Sequence, residues 1–188
     1  MDLQFNEDTH IENSYLLLSA PSLEDPNFSR AVILLCQYNE DGAFGLVFNQ
    51  STAVRVKDVS ENNQLNNLLF IGGPVEQNHL FFVHHFSDLK GAIKLRDGVY
   101  WGGDFDELSK LSLTQEIQEK DSRFFVGYSG WEAGQLEEEI ANDSWIISKV
   151  SPQLLFEIET EDLWQKILQH MGGKYKLFSN YPHNAYLN

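Results

Sequence analysis

Ser129 stands between Gly127 and Gly130 in the stretch Gly127-Tyr128-Ser129-Gly130-Trp131-Glu132-Ala133-Gly134-Gln135-Leu136, and its type and spacing make it the obvious candidate nucleophile. A nucleophile elbow exposes such a serine on a strained strand-to-helix turn, but it requires a second glycine where Trp131 stands. A triad would also need a histidine and an acid. The six histidines (His10, His79, His84, His85, His170 and His183) show no spacing that singles one out. Serine hydrolysis is therefore not the expected chemistry.

Two other readings of the same stretch survive. Glycines at the start of a helix leave backbone N–H groups free, which suits a small anion or phosphate. The stretch lacks the Lys-Ser/Thr ending of a P-loop and the G-x-G-x-x-G spacing of a dinucleotide turn, so no phosphate ligand is specified. Alternatively the glycines let Trp131 and the following helix pack tightly on a strand, a steric role that comes first for glycine at such a corner. The candidate ligand-contacting residues are accordingly Gly72, Gly73, Gly127, Ser129, Gly130, Trp131, Gly134 and Gln135.

Other reactive side chains have plainer roles. His84-His85 with Asp88 has donors that suit a divalent metal, but neighbours on a strand point to opposite faces, so a solvated strand end is expected and no metal site. Cys36 ends the apolar run Ala31 to Cys36, with Arg30 and Glu40 the nearest charges in sequence; it reads as a buried small hydrophobe rather than a nucleophile. Glu137-Glu138-Glu139 reads as the outer face of a helix near its positive end. No cofactor is implied.

The elements that must position these residues follow from periodicity. Residues 1–12 are a polar, acidic leader, with Leu3 and Phe5 its isolated apolar positions. Tyr15 to Ala20 and Ala31 to Tyr38 are predicted central strands joined by a loop containing Pro21 and Pro26. The turn Asn39-Glu40-Asp41-Gly42 then makes a hairpin with Ala43 to Phe48, in which Gly45 marks a bulge or close approach. Leu68 to Ile71, Leu80 to Val83, Ile93 to Leu95 and Val99 to Trp101 make the middle third β-rich. Asp104 with Glu107 and Ser112 with Gln115 are successive capping boxes, predicting two short helices or one broken one over Phe105 to Lys120. Phe124 to Val126 and Trp145 to Ile147 are further strands, and Gln135 to Asn142 is a helix. Thr160 is the predicted cap of a helix carrying Leu163, Trp164, Ile167, Leu168 and Met171, closed by Gly172-Gly173. Strands first and helices late favour an α+β fold, with one domain over residues 13–171 and a tail over 172–188.

Composition bounds the rest. The 188 residues carry 13 basic and 28 acidic side chains, a net charge of −15. That opposes direct nucleic-acid binding, which needs a basic stripe. The 42% hydrophobic content and 13 aromatic Phe, 7 Tyr and 4 Trp exclude disorder as the main description. The first basic residue is Arg30, so no charged n-region opens a signal peptide. The longest apolar run is too short to span a bilayer, and with one cysteine no internal disulfide can form. A cytoplasmic protein is expected. Lys166, Lys174 and Lys176 make the end of the chain locally basic, expected to lie against the acidic Glu132 to Asp162 segment.

Four motifs in order carry a resemblance. Ala20-Pro21-Ser22-Leu23 with Asp25 and Phe28, Gly42 to Asn49, Gly72-Gly73-Pro74-Val75, and Gly127 to Glu137 with Trp145 together resemble the bacterial YqgE/AlgH family from about Tyr15 to Leu168. Gln50 and Ser14 depart from the usual pattern, where a basic residue and a glycine are common. The resemblance implies a barrel-like, mostly antiparallel β-rich body flanked by helices. It supplies no catalytic mechanism; alanine is common in the family at the position of Ser129. The family is often labelled a transcriptional regulator, and with no helix-turn-helix reader here, regulation through a protein partner is the compatible form. The function expected is non-enzymatic binding of a protein partner or small ligand; the alternative is an enzyme or sensor for a small anionic ligand at Gly127 to Gln135.

Overall fold

The apolar runs of the first half are continuous because both faces of the strands they form are covered. In the computed structural model, which describes residues 11–181, β1 (Leu16–Ser19), β2 (Val32–Asn39) and β3 (Gly42–Val47) send alternate side chains to two separate cores. Leu16, Leu18, Val32, Leu34 and Leu46 enter one core, and Leu17, Ile33, Leu35 and Val47 enter the other.

The chain continues through β4 (Ser51–Arg55), α1 (Val56–Val59), β5 (Leu68–Ile71), β6 (Val75–His84), β7 (Ile93–Lys94) and β8 (Tyr100–Trp101). Then follow α2 (Phe105–Ser112), β9 (Ser122–Glu132), α3 (Gln135–Ala141), β10 (Trp145–Ser148), α4 (Leu154–Glu157), α5 (Leu163–Met171) and α6 (Gly173–Phe178). The strands form one sheet in the order β10-β1-β2-β3-β9-β6-β8-β7, with β5 joined to β9 and β4 to β5. Every pairing is antiparallel except β5 with β9. The fold is α+β, as predicted, and the β-rich body is an open sheet: it is barrel-like in outline, but its end strands β10 and β7 do not meet.

Helices cover the faces. Leu163, Trp164, Ile167 and Leu168 of α5 pack into the first core, and Leu136 and Ile140 of α3 into the second. A third cluster joins Leu108 of α2 to Leu69, Phe82 and Phe124. The β2–β3 register shifts between Leu35 and Gln37, opposite Gly45, where the sequence marked a bulge or close approach. Cys36 is 2% exposed, and burial pushes its thiol pKa well above the ordinary value.

Several boundaries differ from expectation. Asp104 caps α2 by accepting from the Glu107 amide at 3.1 Å, but no second helix follows. The Ser112 hydroxyl is instead spent on the Ser109 carbonyl (2.6 Å) and the Gln64 amide (3.0 Å). Thr160 lies within a 3-10 turn, Thr160–Asp162, and does not cap α5. Beyond residue 172, α6 sends Phe178 (5% exposed) into the same core as α5. Ile11 is packed in the second core, while Leu3, Phe5, His10 and His183 lie outside the described residues.

His84 is the clearest correction. It is fully buried rather than solvated, with Nε2 2.9 Å from the Gly102 carbonyl oxygen and Nδ1 accepting the Phe86 amide at 3.1 Å. This pair of bonds requires the neutral ring protonated on Nε2. Burial lowers its pKa first, the Gly102 carbonyl acts the other way, and His85 lowers it further. As pH falls below about 6.5, the unfolded chain binds a proton that the folded chain refuses, so stability is lost on acidification. Denaturant titrations at about pH 7.5 and about pH 5.5 will show a larger loss of stability for the wild type than for His84→Gln. An equal loss would remove His84 from the acid response. His85 and Asp88 do line a common groove of about 620 Å³, but among the described residues no three His, Cys, Asp or Glu side chains are grouped to hold a metal ion.

Candidate functional site

The glycine-tryptophan stretch is mostly strand rather than corner. Residues Ser129 to Glu132 form the end of β9, paired with Gly45 back to Gly42 of β3; the turn into α3 is confined to Ala133 and Gly134. Strand alternation then decides what each residue can do. Ser129 is 1% exposed and its hydroxyl donates to the Gly72 carbonyl at 3.1 Å, so it is a buried tie and not an exposed nucleophile. Trp131 (7% exposed) turns into the second core, while Gly130 and Glu132 remain exposed.

Behind them, Gly72 and Gly73 bring the β5–β6 connection against β9. The Gly72 amide donates to Val126 (3.0 Å), and its carbonyl accepts from Val47 (2.9 Å) as well as from Ser129. A methyl group at Gly73 would lie 2.2 Å from the Tyr128 carbonyl carbon and oxygen. Gly72, Gly73, Gly127 and Ser129 are all buried, behind the exposed Gly130 and Glu132.

Two grooves meet at Gly130. One, of about 610 Å³, is lined by Gln37, Asn39, Asp41, Phe44, Tyr128 and Glu132, among others. The other, of about 390 Å³, is lined by Leu23, Asp25, Phe28, Pro74, Glu139 and Trp145, among others. Val75, Gly130, Trp131 and Gln135 line both. The four motifs singled out in the sequence therefore converge here: the Pro21–Phe28 loop, the Gly42 hairpin, the Gly72–Val75 turn and the Gly127–Gln135 stretch.

A single carboxylate organises this convergence. Glu139 Oε2 accepts both the Trp131 indole N–H (2.9 Å) and the Trp145 indole N–H (2.7 Å), while Oε1 accepts from Gln135 Nε2 (2.9 Å). The two indoles meet edge to face at 5.9 Å, and Phe28 packs on Trp145 at 5.4 Å. Tyr38 Oη adds a 2.6 Å bond to Glu137, tying β2 to α3. Glu139 was read from sequence as outer helix face; it is half-buried and turned toward the tryptophans. The available signal was its helical angle, about 60° from Leu136 on the buried side.

The electrostatics are one-sided. Asp41, Glu132, Asp25 and Glu139 line the grooves, and among the described residues no lysine, arginine or histidine does. Helix α3 has seven residues, follows Gly134 with no side-chain cap, and carries Glu137 and Glu138 in its first turn. Its start thus already faces its own carboxylates.

An AlgH-like family model matches residues 16–176. A UPF0301 protein of Cytophaga hutchinsonii is 42% identical over 176 residues, covering 92% of this chain and 97% of that protein. A UPF0301 protein of Bacteroides thetaiotaomicron is 38% identical over 169 residues, covering 89% and 86%. Among solved structures, a protein from Corynebacterium diphtheriae shares the fold (TM-score 0.74, 24% identity, 92% and 93% coverage). The AlgH protein from Pseudomonas aeruginosa superposes with a TM-score of 0.71 at 26% identity, covering 90% of this chain and 94% of that one. With two thirds or more of the chain matched in sequence and the quoted motifs gathered at one place, this chain belongs to the AlgH-like family.

Proposed function

We propose that this is a cytoplasmic, non-enzymatic binding protein whose protein partner docks on the two grooves that meet at Gly130. The observation that carries the reading is the composition of their walls. Carboxylates, amides, aromatic faces and the Ser144 and Tyr128 hydroxyls line them with no histidine or lysine among the described lining residues to activate a hydroxyl, and the Ser129 hydroxyl is buried behind them on the Gly72 carbonyl. A surface with recognition groups but no activated nucleophile favours binding over turnover. The acidic lining also favours a partner over a small anion, which would find no countercharge there.

A regulatory role exercised through that partner is compatible with a net charge of −15, which opposes direct contact with a phosphate backbone. No helix among the described residues is long and apolar enough to cross a membrane, and the single cysteine, Cys36, is buried, which fits a reducing compartment. The test reverses the groove's charge. Asp41→Lys with Glu132→Lys alters two exposed side chains, so it should abolish partner recovery while leaving the unfolding midpoint unchanged.

A further inference from the structure

The grooves flank a strand edge, and that edge is open. The ladder between β6 and β9 ends at Val75 opposite Tyr128, and the residue before Val75 is Pro74, which has no N–H to extend it. Beyond Tyr128, residues Ser129 to Glu132 are paired on the β3 side. The Glu132 amide turns away from β3, donating to Gln135 Oε1 at 3.0 Å. Backbone groups of a strand alternate in direction every residue, so the N–H and C=O of Gly130 face the same way as the Glu132 amide, toward the unladdered side.

We infer, resting on the partner reading above, that the partner contributes an extended basic segment that adds as a strand along the Gly130–Glu132 edge of β9. Strand addition uses main-chain hydrogen bonds for affinity and places alternate side chains on opposite faces of the new strand. The structure offers one groove on each side of Gly130 for those side chains. Gly130 itself projects no side chain across the edge. Charge selects the occupant: Asp41 and Glu132 lie in one groove, Asp25 and Glu139 in the other, with no basic side chain among the described residues lining either. Residues 1–10 contain Asp2, Glu7 and Asp8 but no lysine or arginine, and a second copy of the chain brings another net charge of −15. The complementary charge therefore belongs to a different protein, with lysine or arginine at alternating positions.

The experiment titrates the full-length, isotope-labelled protein with a synthetic peptide of alternating lysine and valine. The comparisons are an alternating glutamate-valine peptide and two lysine-valine peptides, N-methylated at alternate residues in either register. The expected result is movement of the Gly130 and Glu132 amide resonances with the basic peptide. One N-methylated register should bind about tenfold more weakly, and the acidic peptide should bind still more weakly. If both N-methylated peptides bind as tightly as the parent, with shifts confined to Phe44 and Tyr128, strand addition is overturned while the groove remains a docking site. If no peptide moves any groove resonance, the strand addition and the partner reading both fall.

Discussion

Replacing Trp131 by alanine will destabilise the fold by about 3–5 kcal/mol, the range for truncating a buried aromatic side chain. The residue is 7% exposed, packs edge to face on Trp145, and supplies one of the two indole donors to Glu139. Its loss opens a cavity between β9 and α3 and leaves Glu139 Oε2 with Trp145 as its remaining indole donor. Trp131→Phe separates these effects: most of the packing stays, and the missing N–H alone costs about 1–2 kcal/mol. Denaturant titration followed by far-ultraviolet circular dichroism measures both, since the substitution removes a fluorophore. Equal, small losses would mean that the Trp-Glu-Trp arrangement contributes little to holding α3. The same result bears on function: Trp131 is too deep in the fold for its truncation to report cleanly on a partner.

The second large effect is at Gly73. An alanine methyl there would sit 2.2 Å from the Tyr128 carbonyl carbon and oxygen and 2.4 Å from the Ser129 nitrogen, at φ +155°. All three atoms are backbone, so no rotamer change can relieve the overlap, and the β5–β6 connection must move off β9. We expect Gly73→Ala to cost about 3–5 kcal/mol, the sum of overpacking and backbone strain. Gly134→Ala is the matched control: φ is +80°, but the added methyl meets nothing within 4 Å. Strain alone should cost about 1–2 kcal/mol there. Thermal unfolding of the two variants side by side measures the difference, and comparable losses would show that the Gly73 contact relaxes without consequence.

Much of the fold was legible because local pattern and burial agree. The runs around Leu16, Ile33 and Leu46 read as strands from their own residues, and α5 from its i, i+4 spacing. Failures occurred where a distant group captured a local signal. Ser112 has the type and spacing of a second cap, yet its hydroxyl is taken by Ser109 and by Gln64 from another part of the chain. His84 looked like a solvated strand end because the Gly102 carbonyl that buries it lies 18 residues away. The site divides similarly. Of the groove-lining residues, Gly130, Trp131 and Gln135 lie in the glycine-rich stretch that the sequence singled out, whereas Asp41 and Glu139 were not among the candidates. Asp41 reaches the groove only through the β2–β3 hairpin, and Glu139 was hidden within a run of three like residues. The bond that the Ser129 hydroxyl donates to the Gly72 carbonyl was not legible, because it joins residues 57 positions apart.

A protein partner docked on the acid-lined grooves at Gly130 must depend on their carboxylates. The most direct measurement of that dependence is quantitative recovery of interacting protein on three immobilised forms: wild type, Asp41→Lys/Glu132→Lys, and Glu61→Lys/Glu161→Lys. The last pair makes the same charge change at exposed acids outside both grooves. The groove pair should lose about tenfold or more in recovery and the remote pair should stay near wild type, since displaced complementary charge acts locally at physiological salt. Equal recovery on all three forms, or equal loss on both variants, would contradict docking there.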